Sequence, residues 1–100
     1  MYRLRHKVDA VQPQIMVELR QAGLQCESVA CVGQDFPDII VAAPVTDKLR
    51  DAWAWWNLLV ELKSPGGQLE AGQRIWHQWW KGPVMVARSA EDILRAIGRT

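Results

Sequence analysis

Ile15, Leu19 and Ala22 recur at helical spacing, with Val11 one turn upstream on the same face. The pattern predicts a helix over 13–23 whose regular part starts near Gln12, because Pro13 fits only a first turn. Gly23 supplies a natural stop. "QCESVACV" (25–32) reads as a first strand, and "GQDFPD" as a turn punctuated by Gly33 and Pro37. "DIIVAA" (38–43) is apolar enough for a central strand, ended by Pro44. Residues 45–52 read as a loop or a single helical turn. "WAWWNLLVELK" (53–63) alternates as a third strand. Trp56, Leu58, Val60 and Leu62 fall on one face of it, and Trp55, Asn57, Leu59, Glu61 and Lys63 on the other.

After the loop "SPGGQ", residues 69–80 form a second helix with Leu69, Gln73, Trp76 and Trp80 on one stripe, stopped by Gly82-Pro83. "PVMVA" is a fourth strand. Ser89 caps a last helix, with Asp92 at its third position as an acidic variant of the capping box. The order is therefore helix, three strands, helix, strand, helix. Three consecutive strands can meander antiparallel, and the crossover helix returns the fourth in parallel. The expectation is an α/β fold with one mixed four-stranded sheet flanked by helices.

Composition narrows this only slightly. One hundred residues without a repeat or a linker make a single domain, 1–100, long enough to hold a core. The formal net charge of +1 points to no partner, although Arg3, Arg5, His6 and Lys7 crowd the N-terminus as a basic, solvated tail. Cys26 and Cys31 fit no zinc spacing and read as reduced, buried thiols. With no signal-peptide apolar region and no membrane-length apolar run, the chain reads as soluble and intracellular, without a membrane partner.

The chemistry gathers on the third strand. Glu61 and Lys63, two apart, point the same way, and Asp38 begins the neighbouring strand about 4.8 Å across. Two converging carboxylates repel unless a cation lies between them, and oxygen ligands of this kind suit Mg2+ or Mn2+. A lysine beside such a site can orient an attacking water or stabilise charge on a phosphate. A Glu-x-Lys on its own is more often a solvated face, and a lone Pro-Asp is more often a turn. The conjunction of order, spacing and helix placement sets this pair apart.

"FPDII", then "LLVELK", then "LEAGQRIWHQWWKGPVMVARSAEDIL" resembles the PD-(D/E)xK nuclease superfamily. More narrowly, it is similar to the small stand-alone VRR-NUC domains of phage and bacteria, from about Asp9 to Gly98. The resemblance implies a restriction-endonuclease-like αβββαβ core and metal-dependent hydrolysis of DNA phosphodiesters, with Mg2+ or Mn2+ as cofactor. Asp38, Glu61 and the backbone carbonyl of Leu62 would hold the metal, Lys63 would serve the attacking water, and Gln73 would line the site. It also implies a homodimer acting on branched DNA such as four-way junctions, in the cytoplasm of a bacterial or phage-infected cell. The family often has a glutamate on the first helix where this chain has Gln14, with Glu18 one turn on as a substitute ligand. The competing class is a catalytically weak or inactive DNA-binding or protein-interaction module that keeps the fold. A third is an accessory subunit of a replication or recombination complex.

Arg74, Lys81 and His77 are candidate DNA contacts, set against solvated charges and a packed histidine. Trp76, Trp79 and Trp80 form a stripe of the kind that usually enters a core. Trp53, Trp55 and Trp56 alternate onto both faces of their strand, so one face must be something other than monomer core. A subunit interface is the favoured reading, and a surface for stacking unpaired bases the second.

Overall fold

A computed structural model describes residues 11–47 and 52–99, and omits the side chains of 45–47, 52 and 53. The basic N-terminal cluster, part of the expected 45–52 loop and the Trp53 side chain lie outside the described residues. The elements are α1 (Gln12–Gln21), β1 (Gln25–Ser28), β2 (Ile39–Asp47), β3 (Ala52–Leu62), α2 (Ala71–Trp79), β4 (Val84–Ala87) and α3 (Ala90–Ala96), with a 3-10 turn at Ala30–Val32. The sheet order is β1-β2-β3-β4, with the first two pairings antiparallel and β3–β4 parallel. The fold is thus α/β with a mixed four-stranded sheet and three helices, in the order expected.

The core lies on one face of the sheet. Val41 and Ala43 of β2 and Leu58, Val60 and Leu62 of β3 meet Ile15, Met16 and Leu19 of α1 and Ala90 and Ile93 of α3. Leu19, Ile39, Val60 and Ile93 are fully buried, and each such side chain contributes roughly 1.5–3 kcal/mol. The β3 alternation divides its two faces as expected, and the structure turns the Leu58-Val60-Leu62 face into the core. Leu59 and Glu61 occupy the other face and are also buried.

Four expectations need correction. β1 stops at Ser28 because Val29 N–H donates to Asp38 C=O (2.8 Å) and the chain then coils into the 3-10 turn. That leaves Cys31 exposed, so of the two free thiols only Cys26 is buried. Pro44 does not end β2, which continues to Asp47 opposite Ala52. β1 reaches only as far as Ala42, so Pro44 has an open side where a missing N–H is tolerated. Finally, α2 buries none of its residues, so its tryptophan stripe is not core.

The same register leaves β3 before Leu59 without a β4 partner. Among the described residues, β2 beyond Ala42 and β3 before Asn57 form a two-stranded ribbon projecting from the sheet. None of the described helices is long and apolar enough to cross a membrane.

α3 begins as its sequence dictates. Ser89 Oγ accepts from Asp92 N–H at 3.2 Å, and Asp92 Oδ2 accepts from Arg88 N–H at 2.8 Å. The Arg88 amide foremost holds the Asp92 carboxyl below the usual carboxylate range. A lowered pKa means that the ionised form is the stabilising one. The contribution is therefore present above the unfolded value near ~3.9 and is lost as pH falls through the depressed folded value. Ser89→Ala is expected to cost about 1 kcal/mol at pH 7. The destabilisation by Asp92→Ala should shrink as pH drops below about 4. Urea unfolding of the wild type and both variants at pH 7 and pH 3 checks this.

Candidate functional site

Asp38 immediately precedes β2, and the Ile39–Val60 pair sets it opposite Glu61. Its Oδ2 accepts from Leu62 N–H at 2.7 Å, and its own N–H donates to Val60 C=O at 3.0 Å. The Asp38 carboxylate is therefore fastened against the Glu61–Leu62 peptide. Pro37, fully buried, fixes the approach of the chain to this point.

Glu61 is the more constrained group, a carboxylate only 3% exposed. A buried charge must be compensated by ion pairs and hydrogen bonds. Lys63 Nζ lies 3.8 Å from Glu61 Oε2, and Gln73 Nε2 donates to the same oxygen at 3.2 Å. The Gln73 carbonyl oxygen accepts from Glu70 N–H at 2.9 Å, tying the start of α2 to the same side chain. With its oxygen turned to an amide N–H and its nitrogen to a carboxylate, the Gln73 amide has one consistent orientation. It holds Glu61 and α2 together.

α2 is further seated by Asp35. A methyl group built on Gly72 would meet both Asp35 carboxylate oxygens at 2.7 Å, so glycine is what permits this approach. An acidic side chain beside a helix N-terminus is favoured by the helix dipole. The loop between β3 and α2 is anchored by the Arg88 guanidinium, which donates to the Gly67 carbonyl.

His77, one turn after Gln73, is partly buried, and its Nε2 has no hydrogen-bond partner among the described residues. Burial foremost, and then the charge of Lys63, push the imidazole below its usual pKa. The lowered pKa favours the neutral imidazole. Of the other candidate DNA contacts, Arg74 folds back to donate to Leu69 C=O at 2.7 Å, and Lys81 is exposed.

The structure does not gather the α1 candidates into this site. Gln14 and Glu18 are exposed and bonded to each other at 2.7 Å. Among the described residues, no three His, Cys, Asp or Glu side chains converge as a metal-holding group. The polar side chain that α1 buries is Gln12, at 3% exposure, donating to Ser28 Oγ at 3.0 Å. Its place in the sequence carried a signal that was missed: Gln12, Ile15, Met16 and Leu19 follow the i, i+3, i+4, i+7 pattern of a buried face.

Hard oxygen donors with a neighbouring lysine suit a small divalent cation that keeps most of its water. The Asp38 and Glu61 carboxylates, held on neighbouring strands, are oxygen donors of this kind. No protein-family profile, curated protein or solved structure matches this chain.

The placement of α2 can be checked through its histidine. His77 is expected to titrate below the ordinary value of about 6.5. Lys63→Met should raise it part of the way back, because burial, the larger cause, remains. An NMR titration of the His77 ring protons in both proteins measures this. An unchanged value in Lys63→Met would place the lysine elsewhere.

Proposed function

We propose that this protein is a metal-dependent endodeoxyribonuclease with a restriction-endonuclease-like core of the VRR-NUC type, hydrolysing phosphodiester bonds in branched DNA. The observation that carries the reading is the Asp38 carboxylate bonded to the Leu62 amide beside a buried Glu61 that is ion-paired to Lys63. It joins a Pro-Asp and a Glu-x-Lys across one antiparallel strand pair, on a sheet of the expected strand order.

Asp38, Glu61 and the Leu62 carbonyl would hold Mg2+ or Mn2+, which supplies positive charge to the scissile phosphate and acidifies an attacking water. The strand pair holds the two carboxylates at a fixed separation, so little reorganisation is needed when the phosphate arrives. Lys63, on the same face as Glu61, stabilises negative charge developing on the phosphate oxygens. Gln73 acts as a positioning residue, orienting Glu61 from α2. Hydrolysis then forms a new P–O bond from water as the phosphodiester P–O bond to the departing strand breaks.

The Trp56 face of the ribbon supports a homodimer. Trp56 is 48% exposed, and beside it Ala43, Leu58, Pro83, Met85 and Ile97 line an uncharged recess of about 270 Å³. A two-stranded ribbon is marginal alone in water. A second copy covering this face would bury its tryptophan, as interface cores do. The binding-module reading keeps the fold without turnover and is favoured by the lack of a third converging acid among the described residues. The cleavage assay below separates the two.

Asp38→Asn keeps an oxygen that can accept from Leu62 N–H, so the fold should survive while cleavage is lost. Glu61→Gln should behave alike, and Lys63→Ala should lower the rate on the order of 10²-fold. The assay is a panel of duplex, flap, splayed and four-way DNA with magnesium, manganese or chelator. Cleavage at full rate by folded Asp38→Asn would overturn the reading. Sedimentation at micromolar concentration without DNA should give a dimer mass for the wild type and a monomer mass for Trp56→Ala. A wild-type monomer would contradict the assembly.

A further inference from the structure

The two ends of α2 differ in chemistry. Its N-terminal turn is bound to Glu61 through Gln73, whereas its C-terminal turn opens onto an aromatic groove. Trp55 and Asn57 of β3 form one wall of an open groove of about 680 Å³, and Lys81 and Gly82 of the α2–β4 turn form the other, with Trp56 and Pro83 marking its border with the dimer-face recess. Trp79 and Trp80 continue it into an adjoining recess of about 280 Å³ that shares Lys81 and Gly82.

Three features define what such a groove can take. First, the indoles are presented to solvent: Trp79 is 66% exposed and Trp55 59%. Second, the platform behind them is built. Trp80 stacks on Trp76 with centroids 5.0 Å apart and rings within 15° of parallel, and Trp79 leans on Trp80 at 6.0 Å. Phe36 closes the stack edge-on against Trp76 at 5.3 Å. Gly82 passes so close that a methyl group there would meet Trp80 Nε1 at 2.8 Å, which pins the turn against the ring. Third, the charge in both recesses is one-signed, since Lys81 lines each and no carboxylate lines either.

Exposed, preordered ring faces beside a cation, with the Asn57 amide at the rim, match an anionic strand that carries flat bases. Bases stack on aromatic rings without sequence preference, and a lysine meets the phosphate between them. An apolar protein partner would leave Lys81 desolvated and unpaired, whereas a phosphodiester neutralises it.

We infer that this groove binds unpaired nucleobases of a single-stranded segment next to the duplex being cut. The inference rests on the nuclease reading for where the strand leads, but the binding itself is independent of turnover. Gln73 and Trp79 are six residues apart on α2, a rise of about 9 Å at ~1.5 Å per residue. That separation is within a few nucleotides of strand. The unpaired bases therefore lie close beside the duplex being cut, which selects forks, flaps and junctions over continuous duplex.

The test uses the full chain in chelator, so that no strand is cut. Fluorescence anisotropy measures Kd for a labelled oligothymidylate, a blunt duplex and a splayed fork of equal length, across a salt series. The oligothymidylate and fork are expected to bind at least 10-fold more tightly than the duplex. Trp79→Ala should weaken single-strand binding about 5- to 160-fold, the range of one lost stacking contact. Trp79→Phe should restore most of it, and Lys81→Met should reduce the salt slope by about one. Duplex affinity should be unchanged in all three variants. Equal affinity for single strand and duplex, or an unaltered Kd in a folded Trp79→Ala, would overturn the inference. So would loss of dimer mass in Trp79→Ala with unchanged DNA binding, which would assign the groove to a second copy. Asp38→Asn is the separate control: if it still cleaves, the nuclease reading fails while the binding result stands.

Discussion

Burial of the Glu61 carboxylate is the constraint from which the arrangement of the site follows. At 3% exposure it has almost no water of its own, so the protein must supply its partners. Lys63 follows two residues later, just past the end of β3, at 3.8 Å. Gln73 comes from another element, and its two amide ends join Glu61 to the first turn of α2. Since α2 buries none of its own residues, it is seated by polar contacts of this kind, by the Asp35 approach to Gly72 and by the edge-on Phe36–Trp76 pair. Removing one partner of a buried charge is strongly destabilising, by roughly 3–5 kcal/mol.

The parts of the fold that depend on local pattern were legible in the sequence. The β3 alternation put Leu58, Val60 and Leu62 on one face, the face that enters the core, and the crossover rule gave the parallel return of β4. Ser89 and Asp92 signalled the start of α3 because capping is a matter of neighbours in sequence. What failed depended on strand length and register. The end of β1 at Ser28 is set by a bond to Asp38, which lies nine or more residues away. Pro44 is harmless only because β1 has already ended beside it. Likewise the tryptophan stripe of α2 has the period of a core helix, and nothing local says that the sheet stops short of it.

The site shows the same division. Asp38, Glu61 and Lys63 come together because strand periodicity and adjacency dictate it. The first-helix candidates do not join them, because helix phase decides which residue turns inward. Gln12, in phase with Ile15 and Leu19, is buried, and Gln14 and Glu18 pair in solvent. A cation at Asp38 and Glu61 would therefore rest on two carboxylates, a carbonyl and water, a set that magnesium and manganese accept.

That cation site is the central claim, and paramagnetic broadening tests it without requiring turnover. Substoichiometric Mn2+ added to 15N-labelled protein should selectively broaden the amide signals of Asp38 and of Glu61 through Lys63, with those of Gln14 and Glu18 little affected. Glu61→Gln should abolish the effect. Broadening centred on α1, or the same pattern persisting in folded Glu61→Gln, would contradict the account.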